Sequence, residues 1–303
     1  MPPRPTPLLR RLRPQFQAQV RHQIPRIAIS SNRQASLSTS SSSSLNSNPD
    51  PTFTTVSPDE VSHFNALASS WWDPQGPSRI LHLMNPLRHD FIRDCRFSVP
   101  VSPVSTTAGL TYLDIGCGGG IFAESAARLR STKSVTAIDP SPEVLTIAKA
   151  HARRDPALRG KLEYLNTPVE QLPAPAPQEG YDVVSIFEVL EHVSNPAQFL
   201  DRCMPFVKPG GWLVMSTIAR TWMSWFTTNL MAEDVLGIVP KGTHDWRKYV
   251  NEDELRGHFL GKRDGWGEAR CMGVIYVPGI GWREVRGSEK VGNYFFAVRR
   301  LEN

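Results

Sequence analysis

Residues 113–123 read Leu113-Asp114-Ile115-Gly116-Cys117-Gly118-Gly119-Gly120-Ile121-Phe122-Ala123 (LDIGCGGGIFA). The apolar run Thr111–Ile115 has the length of a short strand, a glycine loop follows, and a helix begins at Ile121. Glycine at these positions permits positive φ and close approach of a ligand to the backbone. The first turn of the helix offers free N–H groups to an anionic group. Strand, glycine loop and helix are the opening of a βαβ unit, and the rest of the chain is read outward from it.

Downstream, strands and helices alternate. Strands are expected at Ser134–Ile138, Leu162–Asn166, Tyr181–Phe187 and Trp212–Ser216, and helices at Ile121–Arg130, Pro142–Ala152 and Ala197–Val207. Such alternation implies an α/β fold with a parallel sheet covered by helices on both faces. Tyr181–Phe187 reads as a continuous apolar strand broken only by Asp182 and Ser185, as expected for one buried on both sides. Glu268–Val274 and Tyr294–Arg299 read as a closing antiparallel pair, which makes seven strands. Asn251-x-x-Glu254 predicts a helix start. Upstream of the loop no strand is visible. Ser57-Pro58-Asp59-Glu60 begins a helix to about Trp72, with Ser57 as cap, and a second helix runs from Met84 to about Arg96. These form an N-terminal extension.

The loop spacing is D-x-G-x-G-x-G, not the G-x-G-x-x-G/A of a dinucleotide site, since Ile121 stands at the third position after Gly118. Asp139 ends the second strand, where a carboxylate reaches two ribose hydroxyls. Adenosine carrying an amino-acid tail satisfies loop and acid together without a phosphate site. A nicotinamide enzyme and a purely structural turn are the rival readings.

Glu188, Glu191 and His192 follow the fourth strand at i, i+3 and i+4. If helical they share a face and can hold a divalent ion with positions left open. The alternative is that His192 is structural. His244, beside Asp245, is a candidate base or a loop-ordering hydrogen bond. Thr221–Val239, with Trp222, Trp225 and Phe226, reads as a lid over an apolar substrate or a segment dipping into a membrane interface.

Seven arginines and no acidic residue occupy residues 1–49, which leaves 27 basic against 29 acidic residues for 50–303. The folded body therefore has no basic footprint for nucleic acid. The Arg- and Ser-rich stretch fits a mitochondrial transit peptide, or else a plain polar tail. Cys95, Cys117, Cys203 and Cys271 form no paired motif, so free thiols are expected.

Leu113–Ala123 and Lys208–Gly211 (KPGG) resemble class I methyltransferases. Phe64–Pro74 (FNALASSWWDP), His82–Arg88 (HLMNPLR), Phe187–Val193 (FEVLEHV) and Pro240–Trp246 (PKGTHDW) are similar to the mitochondrial ubiquinone-biosynthesis O-methyltransferases. The resemblance implies a Rossmann-like domain over 50–303, with an apolar lid insertion after strand 5. It implies methyl transfer from S-adenosylmethionine to a phenolic hydroxyl of a polyprenylated catechol, at the polyprenyl dihydroxybenzoate and demethylubiquinol steps. Arg88, Gly116, Asp139 and Phe187 would bind cofactor. Glu188, Glu191 and His192 would bind a metal, Mg2+ by preference. The implied setting is the matrix face of the mitochondrial inner membrane, peripherally, in a multi-protein biosynthetic complex. A methyltransferase for another small molecule, or a cofactor-binding scaffold without turnover, remain alternatives at this stage.

Overall fold

A computed structural model describes residues 54–99, 109–176, 178–220, 249–261 and 264–302. The chain divides into Met1–Asn48 and Pro49–Asn303, and all described residues belong to the second unit. His244 and the insertion Thr221–Val239 lie outside the described residues, as does the segment 1–49.

The helices are α1 Pro58–Leu67, α2 Arg79–Phe97, α3 Ile121–Arg128, α4 Pro142–Ala152, α5 Pro196–Cys203 and α6 Glu252–Leu260. The strands are β1 Leu110–Ile115, β2 Thr132–Asp139, β3 Leu162–Asn166, β4 Tyr181–Phe187, β5 Val207–Ile218, β6 Trp266–Val277, β7 Gly281–Glu284 and β8 Asn293–Arg300. They form one sheet in the order β3-β2-β1-β4-β5-β8-β6-β7. The first five are parallel, and β8 enters antiparallel between β5 and β6. The expected terminal antiparallel pair is thus β6 with β8. The sheet has eight strands rather than the seven expected, because the chain turns at Pro278–Ile280 and adds the four-residue edge strand β7. Four residues carrying Gly281 and a solvent-facing Arg-Glu pair give little strand signal.

Side chains alternate across the sheet as the period of two demands. On β4, Val183 and Phe187 join one core layer, while Val184 and Ile186 join the other. Helix α2 covers the first layer, with Phe91 stacked on Phe295 of β8 at 5.6 Å between centroids. Its start lies at Arg79, five residues before the expected Met84, and Pro86 is accommodated inside it. Ser57 holds the N-cap position of α1 but its side chain makes no cap bond. Asn251 and Glu254 do form the reciprocal capping box of α6. No helix among the described residues is long and apolar enough to cross a membrane.

From β1 the chain winds outward to β2 and β3, and then returns to place β4 on the other side of β1. The strand order reverses between β1 and β4. The carboxyl ends of these strands therefore part to leave a crevice, where open α/β sheets bind ligands.

Candidate active site

The crevice holds a cavity of about 660 Å³. Its lining includes Asp114 near the end of β1 and Gly116–Gly118 beyond it, Asp139 ending β2 and Ser141 beyond it, and Phe187 ending β4 with Glu188, Glu191 and His192 beyond it. Separation in sequence is removed by the parallel register, which sets Asp114 beside Ala137 and Ser185.

The glycine loop is shaped by neighbours as much as by ligand access. Gly116 has φ 69°, and a Cβ there would stand 2.5 Å from Val189 Cγ2. Gly118 has φ 52°, and its Cβ would stand 2.6 Å from Cη2 of Trp71. Positive φ and a steric ceiling together exclude any side chain at these two positions. Asp139 braces the same loop, since Oδ2 accepts from Gly118 N at 2.9 Å and Oδ1 from Ser141 N at 2.9 Å. Each oxygen keeps a lone pair for the cavity. Burial raises the Asp139 carboxyl, and these two N–H donors oppose that rise.

Arg88, on α2, is 3% exposed and its guanidinium lies 4.8 Å from the centroid of the Phe187 ring. One Nη donates to Asn85 Oδ1 at 3.1 Å, while Nε is buried without a hydrogen-bond partner. A buried guanidinium with an unused donor, in a residue that lines the cavity, is a seat for an anion. Burial lowers the Arg88 pKa, and the charges of Glu188 and Asp114 counter it. Burial pushes the Asp114 carboxyl up to about 7, against the hydrogen bond from Ser185 (2.7 Å) and the charge of Arg88.

The acidic turn departs from the helical expectation. Leu190–His192 is a single 3-10 turn, and Glu188 sits in the left-handed region with φ 56°. For a non-glycine residue this is costly backbone, held here by Ser216. Ser216 Oγ donates to Glu188 Oε1 at 2.6 Å, and the Glu188 N–H donates to Ser216 at the start of the turn. Glu191, 4% exposed, accepts from Thr217 Oγ1 at 3.0 Å. His192 Nδ1 pairs with Glu60 of α1 at 2.9 Å. Burial, then the neighbouring Glu188, raises the Glu191 carboxyl. Burial would lower His192, but the Glu60 hydrogen bond and the surrounding carboxylates outweigh it and hold the imidazole above its usual range. Among the described residues no group of three or more His, Cys, Asp or Glu side chains is arranged to hold a metal ion. Glu188, Glu191 and His192 are brought to one turn but not to one point, because the 3-10 turn and the left-handed residue do not place i, i+3 and i+4 on a common face.

The N-terminal extension forms a wall of the site, which sequence reading did not assign. Trp71 lies over Gly118 and Gly119. Trp72 Nε1 donates to Gly119 O at 2.9 Å and its ring stacks on His151 at 3.4 Å. His151 in turn bonds buried Glu124 of α3 at 2.8 Å. Asn65 pairs with Ser141 and Glu60 with His192, so α1 is tied to both halves of the crevice. The WWDP block was the available signal, and its partners are distant in sequence.

The Methyltransferase domain family matches residues 113–215. A mitochondrial ubiquinone biosynthesis O-methyltransferase of Schizosaccharomyces pombe is 46% identical over 252 residues, covering 81% of this chain and 87% of that protein. The protein of the same description from Candida albicans is 41% identical over 287 residues, covering 82% and 86%. Among solved structures, the plantazolicin methyltransferase BpumL in complex with SAH is similar at TM-score 0.52 and 19% identity, covering 80% of this chain and 97% of that one, a likeness of fold. With this fold, this loop and these relatives, the chain belongs to the ubiquinone biosynthesis O-methyltransferases, a family of S-adenosylmethionine-dependent methyltransferases.

Proposed function

We propose that this chain transfers the methyl group of S-adenosylmethionine to a phenolic hydroxyl of a polyprenylated catechol in ubiquinone biosynthesis, acting on polyprenyl dihydroxybenzoate and on demethylubiquinol. One observation carries the reading. A single cavity joins the glycine loop and Asp139 to Arg88, Phe187 and the acidic turn. Cofactor and acceptor can therefore meet within it.

Asp139 would take the ribose hydroxyls on its free lone pairs, and Gly116 would admit the cofactor against the loop. The unpartnered Nε of Arg88 would take the carboxylate of the methionine half, and Phe187 would pack beside it. In the reaction a phenolate oxygen forms the O–CH3 bond as the C–S bond breaks, and S-adenosylhomocysteine leaves neutral. In-line displacement gains much of its rate from positioning, and a cavity walled by Trp71 and Phe64 excludes water around the sulfonium.

The resemblance implies Mg2+ at Glu188, Glu191 and His192; these side chains stand on one turn but, among the described residues, are not arranged to hold an ion, so no step is routed through one. The mitochondrial naming of the fungal relatives and the acid-free, Arg-rich residues 1–49 support action in mitochondria; a peripheral place at the matrix face of the inner membrane, within a multi-protein complex, is what the resemblance adds to the proposal.

The test is methyl transfer from labelled S-adenosylmethionine to a short-tailed catechol, with and without chelator, by wild type and by Glu188→Ala/Glu191→Ala. Methylation that falls in the double variant is expected, and a fall in chelator would show that a metal joins the acidic turn. No turnover would overturn the enzymatic reading. Turnover indifferent to both substitutions would overturn a role for the acidic turn. In cells lacking the protein, mass spectrometry should find the unmethylated catechol precursor accumulating.

A further inference from the structure

Among the described residues the cavity is charged at one end only. Every charged side chain in its lining there comes from α1, from α2, from Glu170, or from the carboxyl ends of β1, β2 and β4 and the residues that follow them. The far end is built by Leu81 and Met84 of α2, Val274 and Ile275 of β6, Trp282 of β7, and Val291 ahead of β8. Among the described residues no charged group lines the β6–β8 end. The two ends belong to one continuous space.

The apolar end is held open by its own contacts. Trp282 Nε1 donates to the carbonyl of Ile80 at 2.9 Å, which fixes the β6–β7 hairpin to the start of α2. The Trp282 ring packs on Tyr276 at 5.4 Å. A wall that is already ordered binds an apolar chain without first paying the entropy of ordering itself. Ile275 and Val291 line this end and still remain 40% and 42% exposed, and Ile280 at the hairpin tip is 59% exposed. These side chains would gain from covering by a hydrocarbon, at roughly 25 cal/mol per Å² removed from water.

We propose that this end is the subsite for the acceptor's isoprenoid tail. The ring sits beside the sulfonium at the charged end, and the tail leaves between the start of α2 and the β6–β7 hairpin. Leu81, Ile275, Trp282 and Val291 then set the preference for tailed over tail-less phenols. This rests on the reading of the acceptor as a prenylated phenol.

The experiment uses the full chain, wild type and three variants, Ile275→Lys, Val291→Lys and Leu81→Trp. The first two change exposed positions, so folding is spared, and the third fills the groove. Two acceptors are compared in detergent, a catechol without a tail and the same ring with a farnesyl tail. For the tailed acceptor KM should rise about tenfold or more, the scale on which apolar pockets discriminate. The tail-less acceptor should keep its kcat and KM. Equal losses for both acceptors, or no loss for either, would overturn the subsite. Detachment from lipid vesicles with unchanged KM for the tailed acceptor would also overturn it and assign this face to a lipid surface. Binding of a farnesylated phenol, read by tryptophan quenching, is measured alongside. If wild type methylates neither acceptor yet quenching weakens in all three variants, the function fails while the subsite stands.

Discussion

Two titratable groups, half-buried His89 and buried Asp114, should pull stability in opposite directions across one pH window. His89, on α2, bonds Ser125 Oγ at 2.7 Å and stacks on Phe122 at 5.1 Å. Burial, then the charge of Arg88, lowers its pKa from 6.5 to about 4. Between those values the unfolded chain carries a proton that the folded chain rejects. Stability is therefore full above pH 6.5 and is lost as pH falls through about 4. At 1.36 kcal/mol per unit the loss is about 3 kcal/mol. Asp114 does the reverse, because burial lifts it from 3.8 to about 7. There the folded chain keeps a proton that the unfolded chain releases. That contribution, about 4 kcal/mol in full, is present below pH 3.8 and is lost as pH rises through about 7. The two slopes largely cancel in the wild type. His89→Gln and Asp114→Asn each remove one titration while keeping a hydrogen-bonding side chain. Urea unfolding at half-unit steps from pH 4 to 7.5, followed by tryptophan fluorescence, gives the two difference curves. Wild type minus His89→Gln should rise by about 3 kcal/mol from pH 4 to 6.5, and wild type minus Asp114→Asn should fall by a similar amount. Two flat difference curves would refute the assignment of these shifts to burial. Slopes of the same sign would refute the sign argument.

Arg88→Met removes the buried cation facing the cavity and should weaken S-adenosylhomocysteine binding by about 10- to 100-fold, the worth of hydrogen bonds to a charged group, as measured by calorimetry. Gly118→Ala places a methyl group against Trp71 at φ 52°; loss of about 1–2 kcal/mol from the backbone is expected in urea, with a further loss that Trp71→Ala partly relieves. Glu188→Gly should be more stable than Glu188→Ala by about 1 kcal/mol, the reverse of the usual order, because only glycine is at ease in the left-handed region. Both Glu188 variants should lose methyl transfer, and equal stabilities would show that the turn relaxes.

The alternation of apolar strands with capped helices was enough to place β1 to β4 within two residues of their observed positions, because mostly apolar strands bounded by turns carry a local signal. Strand β5 begins at Val207, five residues before the expected Trp212, because it runs through Lys208–Gly211 where a turn was expected. Pro142–Ala152 matches α4 at both ends, since Ser141 caps it through a bond to the Val144 N–H and Pro142 fits its first turn. Strand β7 escaped because its signal is too short. The acidic turn was misjudged because spacing of i, i+3 and i+4 implies a shared face only on a helix. The conformation of Glu188 is imposed by Ser216, 28 residues away.

By itself the sequence determined the loop-and-acid end of the crevice. Asp114, the glycines and Asp139 lie at strand ends, and strand ends are local features that period and turn chemistry reveal. Only the tertiary structure decided the rest. It set Trp71 over Gly118, Glu60 against His192, and the β6–β7 hairpin against the start of α2. Those pairings join residues between 47 and 202 positions apart. Contacts of that reach follow from how helices pack on a finished sheet, and no local pattern of residues encodes them.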